Sequence, residues 1–156
     1  NMLRAITTFK GLAHRFETVA SNDSIFWIND SKATNVGATV AAIQGLLPTL
    51  KPEQQLILIA GGDGKGADFS PLTNLLTEHV THLITLGKDA DQLSQLTNNA
   101  EHVSTMQEAV ALAKDKAKSG DVVLLSPACA SIDMFANFSA RGEAFVDAIT
   151  YIQEAS

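Results

Sequence analysis

A lysine-bearing polar turn, a second lysine in a glycine loop and a pair of serines each follow an apolar run, and together they could hold a small anion. The first set lies in WINDSKATN, where Asn29, Asp30, Ser31, Lys32, Thr34 and Asn35 crowd the segment between an apolar run and a helix. One or two of these side chains suffice to cap a helix, and capping calls for neither a lysine nor an acid beside it. The second set is Lys65 in GGDGKGADF, and the third is Ser126, Pro127, Cys129 and Ser131 in SPACAS. An open α/β sheet binds ligands in the crevice outside the carboxyl ends of its strands, so the three turns are expected to meet at one rim. A dianion there would meet an ammonium, two hydroxyls and helix N-terminal amides, each charged hydrogen bond contributing about 1.5–3 kcal/mol.

The glycine loop fits neither familiar nucleotide motif. Gly66 follows Lys65 where a P-loop needs Ser or Thr, and Ile59 stands where its first glycine belongs. Gly62, Gly64 and Ala67 satisfy the looser dinucleotide spacing, yet Thr85, Leu86 and Gly87 offer no acid at the end of the next strand. The loop reads instead as permissive backbone that allows close approach while presenting Lys65. A lysine on a solvated glycine turn is the plainer alternative. Ser131 is expected to cap the last helix, a role compatible with an anion site at that helix start. Cys129 has no histidine placed to activate it and reads as a small buried thiol, while His79, His82 and His102 lack metal-ligand spacing.

The elements that must position these residues follow from periodicity. Leu3, Ile6, Phe9 and Leu12 predict a leading helix with little to pack on, and Phe16 to Ala20 and Ser24 to Ile28 predict strands joined in a hairpin. Val36, Val40, Ile43 and Leu47 mark an amphipathic helix up to Pro48, and Leu56 to Ala60 a buried strand. Ser70-Pro71 predicts a helix start carrying Leu72, Leu75 and Leu76, followed by a strand at His82 to Leu86 and a short helix with Leu93 and Leu96. Thr105 and Glu108 form a capping box for a helix that Gly120 stops, and a strand at Val122 to Leu125 precedes a last helix with Phe145, Ile149 and Ile152 on one side. The alternation predicts a Rossmann-like α/β fold: an open, mostly parallel sheet of about six strands, one antiparallel at the edge, with helices on both faces.

A chain of 156 residues with 46% hydrophobic residues suffices for one domain with its own core. A net charge of −6 argues against a nucleic-acid or membrane-surface partner, and a single cysteine fits a reducing cytoplasm. No run of about 18 apolar residues suggests a membrane span. Asn1 ahead of Met2 suggests that the chain is a piece of something longer.

GLAHRFE, WINDSKATNVGAT, GGDGKGADF, LLSPACASIDMFANF and RGEAF, in this order, resemble the C-terminal domain of the Mur ligases of bacterial cell-wall synthesis, with NDSKATN matching the branch that adds D-glutamate. Ala13 departs from the family, which commonly has a proline there. The resemblance implies that residues 1–12 are a junction helix left from a preceding central domain and that residues 13–156 form the C-terminal domain. It implies a monomeric, cytoplasmic ligase in which ATP phosphorylates the carboxylate of UDP-N-acetylmuramoyl-L-alanine and the amine of D-glutamate attacks the acyl phosphate. By matching positions, Thr34, Lys65, Ser131, Ile132 and Phe138 would hold D-glutamate, Ile132 and Phe138 partly through backbone N–H groups. His14, Arg15, Asp30 and Lys32 would approach ATP. The family's P-loop, its magnesium ligands and its UDP site belong to other domains, so the isolated piece is expected to fold without turning over. A stand-alone Rossmann-like nucleotide-binding or regulatory module is the alternative.

Overall fold

The computed structural model describes residues 14–154, and the expected leading helix over residues 1–12 lies outside them. Six strands form one sheet: β1 (Glu17–Val19), β2 (Phe26–Asn29), β3 (Leu56–Gly61), β4 (His82–Leu86), β5 (Ala100–His102) and β6 (Val122–Leu125). Their order is β1-β2-β6-β3-β4-β5, with β1 antiparallel to β2 and every other pairing parallel. The expected class, strand count and antiparallel edge are all present.

The central strands are continuous apolar runs because both of their faces are covered. Helices α1 (Val36–Leu46), α2 (Thr73–Glu78) and α3 (Ala90–Ser94) pack on the face that carries Ile28, Leu56, Leu58, Leu83 and Leu124. Helices α4 (Met106–Lys116) and α5 (Phe138–Glu154) cover Trp27, Ile57, Ile59, Ile84 and Leu125 on the other. Trp27 is fully buried, its ring edge-on to Phe145 at 6.1 Å, and its indole N–H donates to the Asp23 carboxylate at 3.2 Å. None of the helices among the described residues is long and apolar enough to cross a membrane.

Register fixes where the loops start. Asn29 pairs with Leu125 and Leu125 with Ile59, so three adjacent parallel strands reach the same row before the chain turns away. The chain then leaves β2 and β3 for one face and β6 for the other. Loops that diverge from neighbouring strands open a crevice between them.

Local chemistry corrects several boundaries. Ser24 adopts φ 63°, which breaks the extended run and delays β2 to Phe26. Ser70 is not a side-chain cap: it begins a short 3-10 turn, Ser70–Leu72, whose entry is held by Asp68 accepting from the Ser70 N–H at 2.9 Å. The Thr105/Glu108 capping box is formed, but α4 ends at Lys116, ahead of Gly120, which serves the turn into β6 at φ 92°. Strand β5 escapes notice because AEH is short and polar, with Glu101 and His102 exposed at the sheet edge.

Two glycines of one loop test how the rim is built. Gly61 has φ 133°, and a Cβ there would lie 1.8 Å from the Leu86 carbonyl oxygen, whereas Gly66, at φ 79°, faces open space. Gly66→Ala is expected to cost about 1 kcal/mol, the left-handed backbone penalty alone. Gly61→Ala is expected to cost more than about 3 kcal/mol, since strain and a backbone clash add. Urea unfolding of the two variants measures the difference.

Candidate functional site

The three loops are strapped to one another by backbone bonds. The Ala128 N–H donates to the Ala33 carbonyl at 3.0 Å, which ties the SPACAS loop to the NDSKATN turn. Asp63 and Ala130 exchange a pair of bonds at 3.0 and 2.8 Å, which ties SPACAS to the glycine loop. Gly62 permits that approach: a Cβ on it would meet the Ala130 carbonyl oxygen at 2.3 Å. Thr34 and Ser131 each follow a strapped residue and Lys65 lies two beyond one, so the three expected ligand-facing loops do share one rim.

Arg141 is the side chain that locks the arrangement. Its Nε donates to Ser31 Oγ at 3.0 Å, one terminal nitrogen to the Cys129 carbonyl at 2.9 Å and the other to the Ser31 carbonyl at 2.6 Å. Ser31 Oγ in turn donates to the Phe138 carbonyl at 2.7 Å. Arg141 is 3% exposed, and no carboxylate among the described residues pairs with it within 4 Å. Burial pushes its guanidinium down to about 10, against the attraction of Cys129 and Asp133. The same burial sends the Cys129 thiol up to about 12, with Asp89 adding to the shift, so Cys129 is the buried, unreactive thiol its surroundings suggested.

Asp30 is buried at the other end of this network. One carboxylate oxygen accepts from the Phe16 N–H at 3.0 Å and the other from Ser126 Oγ at 3.1 Å, while Thr39 Oγ1 donates to the Ser126 carbonyl at 3.1 Å. Burial raises its carboxyl to about 6, opposed by those two hydrogen bonds and by Arg15. Arg15, Asp30 and Lys32 line a cleft of about 330 Å³ whose floor is Phe16, Ala33 and the small residues Ala38, Ala41, Ala42 and Gly45. Three of the four residues expected near ATP therefore face one cavity.

His14, the fourth, stands beside it. Its ring meets Phe138 edge-on at 6.4 Å, and Lys32 Nζ lies 5.7 Å from the centre of the same Phe138 ring. Phe138, expected with the glutamate set, thus joins two members of the ATP set. Lys65 is exposed at φ 53°, with its N–H bonded to Asp63 Oδ1 at 2.9 Å, and Thr34 and Ile132 are exposed. Ser131 corrects the expected cap: α5 begins seven residues later, at Phe138, and Asn137 Oδ1 accepts the Ala140 N–H at 2.8 Å there. Instead the Ser131 carbonyl accepts the N–H groups of Met134 and Phe135, closing a turn that leaves its buried side chain on a small cavity beside Arg141.

Sequence reasoning missed Arg141, and it named Asn29 and Ser126 among the polar loop residues without the buried bonds the fold gives them. Arg141 carried a usable signal: it lies four and eight residues before Phe145 and Ile149, a charge on the apolar stripe of its helix.

An open sheet with a strapped, cation-bearing rim at its switch point is the architecture in which α/β domains bind ligands. The family model described as "Mur ligase, glutamate ligase domain" matches residues 14–129, and the chain belongs to that family. It is 62% identical over 95% of its length to UDP-N-acetylmuramoylalanine--D-glutamate ligase of Colwellia psychrerythraea, covering 31% of that protein. The ligase of the same name from Shewanella oneidensis is 57% identical over 92% of the chain, which covers 32% of it. The chain thus spans about a third of the length of the curated relatives it matches. The crystal structure of MurF ligase from Thermotoga maritima in complex with ADP shares the fold, with a TM-score of 0.64 at 15% identity over 92% of this chain and 32% of that one.

The buried acid sets a stability profile. The unfolded Asp30 ionises near 3.8 and the folded one near 6, so stability falls as pH rises between those values and the loss is complete above them. Two units correspond to at most about 3 kcal/mol. Asp30→Asn keeps an acceptor for Phe16 and can donate to Ser126, so it is expected to stabilise the chain at pH 8 by about 1–3 kcal/mol more than at pH 4. Urea denaturation at the two pH values checks this.

Proposed function

We propose that this chain is the D-glutamate-binding and ATP-closing domain of an ATP-dependent ligase that adds D-glutamate to UDP-N-acetylmuramoyl-L-alanine in peptidoglycan synthesis. The observation that carries the reading is the high identity along nearly the whole chain to two ligases bearing that name. The rim supplies chemistry to match: an exposed ammonium on Lys65, hydroxyls on Thr34 and Ser131, and N–H groups at Ile132 and Phe138 suit a small amino acid with two carboxylates. Residues 1–12 lead in from the domain before it, and the enzyme acts in the cytoplasm as a monomer.

The cleft of Arg15, Asp30 and Lys32 fits a nucleotide, with an apolar floor for a base and two cations for phosphates. When bound, ATP supplies the phosphoryl group that activates the acceptor carboxylate. Arg15 and Lys32 hold phosphate oxygens, and His14 borders them. Lys65, Thr34 and Ser131 orient D-glutamate so that its amine faces the activated carbonyl. Magnesium would be held mainly by the domains that carry the P-loop.

In the full-length protein, Lys65→Ala is expected to raise the KM for D-glutamate roughly tenfold or more, the loss of one charged hydrogen bond, with the KM for ATP little changed. The 156-residue chain alone is expected to give no ATP-dependent ligation. Phosphate release with UDP-N-acetylmuramoyl-L-alanine and D-glutamate measures both. An unchanged KM removes Lys65 from the site, and a full-length protein inactive with D-glutamate overturns the assignment.

A further inference from the structure

Asn29 is fully buried at the end of β2, with its amide held from two sides. Its Oδ1 accepts the Ser31 backbone N–H at 3.1 Å, and its Nδ2 lies 2.9 Å from His14 Nδ1. A backbone N–H can only donate, so Oδ1 must face Ser31 and the NH₂ group must face the imidazole. A donor aimed at Nδ1 requires a lone pair there, and the neutral ring then carries its proton on Nε2.

His14 is held beside Asn29 by its backbone and by a neighbouring ring. The His14 carbonyl accepts the Lys32 N–H at 2.9 Å, and Phe138 packs against the ring. The ring also occupies the space above Gly142, where a Cβ would stand 2.2 Å from Nδ1 and 3.0 Å from Asn29 Nδ2. Nε2 makes no hydrogen bond to any described residue.

We infer that Asn29, with Gly142 making room, is a positioning residue that fixes His14 as the Nε2–H tautomer and so presents a neutral hydrogen-bond donor to an anionic oxygen of the nucleotide. The inference rests on the reading of His14 as a residue that borders ATP. It assigns the ring a single task, donation, because the nitrogen that could accept a proton is turned inward against an amide.

Long-range 1H–15N correlation spectra of the 15N-labelled chain read the tautomer directly, with His14→Gln identifying the His14 signals. The expected result is an unprotonated Nδ1 and a protonated Nε2 at pH 8. In the full-length ligase, Asn29→Asp keeps the acceptor for Ser31 but replaces the donor with an acceptor. It is expected to move the proton to Nδ1 and raise the KM for ATP roughly tenfold, with the KM for D-glutamate little changed. A proton on Nδ1 in the unsubstituted chain overturns the inference and leaves the ligase assignment standing. A fixed Nε2–H tautomer whose reversal leaves the KM for ATP unchanged also overturns it. Absence of D-glutamate-dependent activity in the unsubstituted full-length enzyme would instead remove the functional reading and leave the proton position as found.

Discussion

The guanidinium of Arg141 is the tie on which the rim depends. It bridges the loops after β2 and β6 through bonds to Ser31 and Cys129, and Ser31 returns a bond to the first residue of α5. A buried charge without a carboxylate partner is costly, and carbonyl and hydroxyl dipoles offset only part of that cost. The compensation comes from what the tie arranges: two loops already joined by the Ala128–Ala33 backbone bond are held against one helix. Arg141 and Ser131 line one small cavity, together with Asp133.

The other buried polar groups follow the same logic. Asp30 sits among Phe16, Ser126 and Thr39 with every oxygen engaged, and Asn29 spans Ser31 and His14. Each consumes hydrogen-bonding capacity to hold a neighbour that reaches the surface. A satisfied network of this kind gives a unique geometry where apolar packing alone would allow several. The sheet supplies the frame, since the shared row of Asn29, Leu125 and Ile59 starts three loops at one height.

Much of this was legible in the sequence. The apolar runs at 56–60 and 122–125 read as buried strands and 82–86 as a further strand, and the polar residues crowded behind Trp27 exceeded any need of a turn. What stayed hidden was decided by contacts distant in the chain. Ser131 looked like a cap because a serine ahead of a helix usually is one, but six residues intervene before Phe138. Strand β5 is a strand by virtue of its pairing with β4 and has no hydrophobic pattern of its own. Asn29 stood among the polar residues of the turn and Asp30 among those expected near ATP, and only the fold shows both buried.

Lys65 holds the tip of its loop in the left-handed region, at φ 53°. A side chain with a Cβ is disfavoured there by about 1–2 kcal/mol. The exposed ammonium is thus presented at an expense in fold stability that a glycine at the same corner would escape.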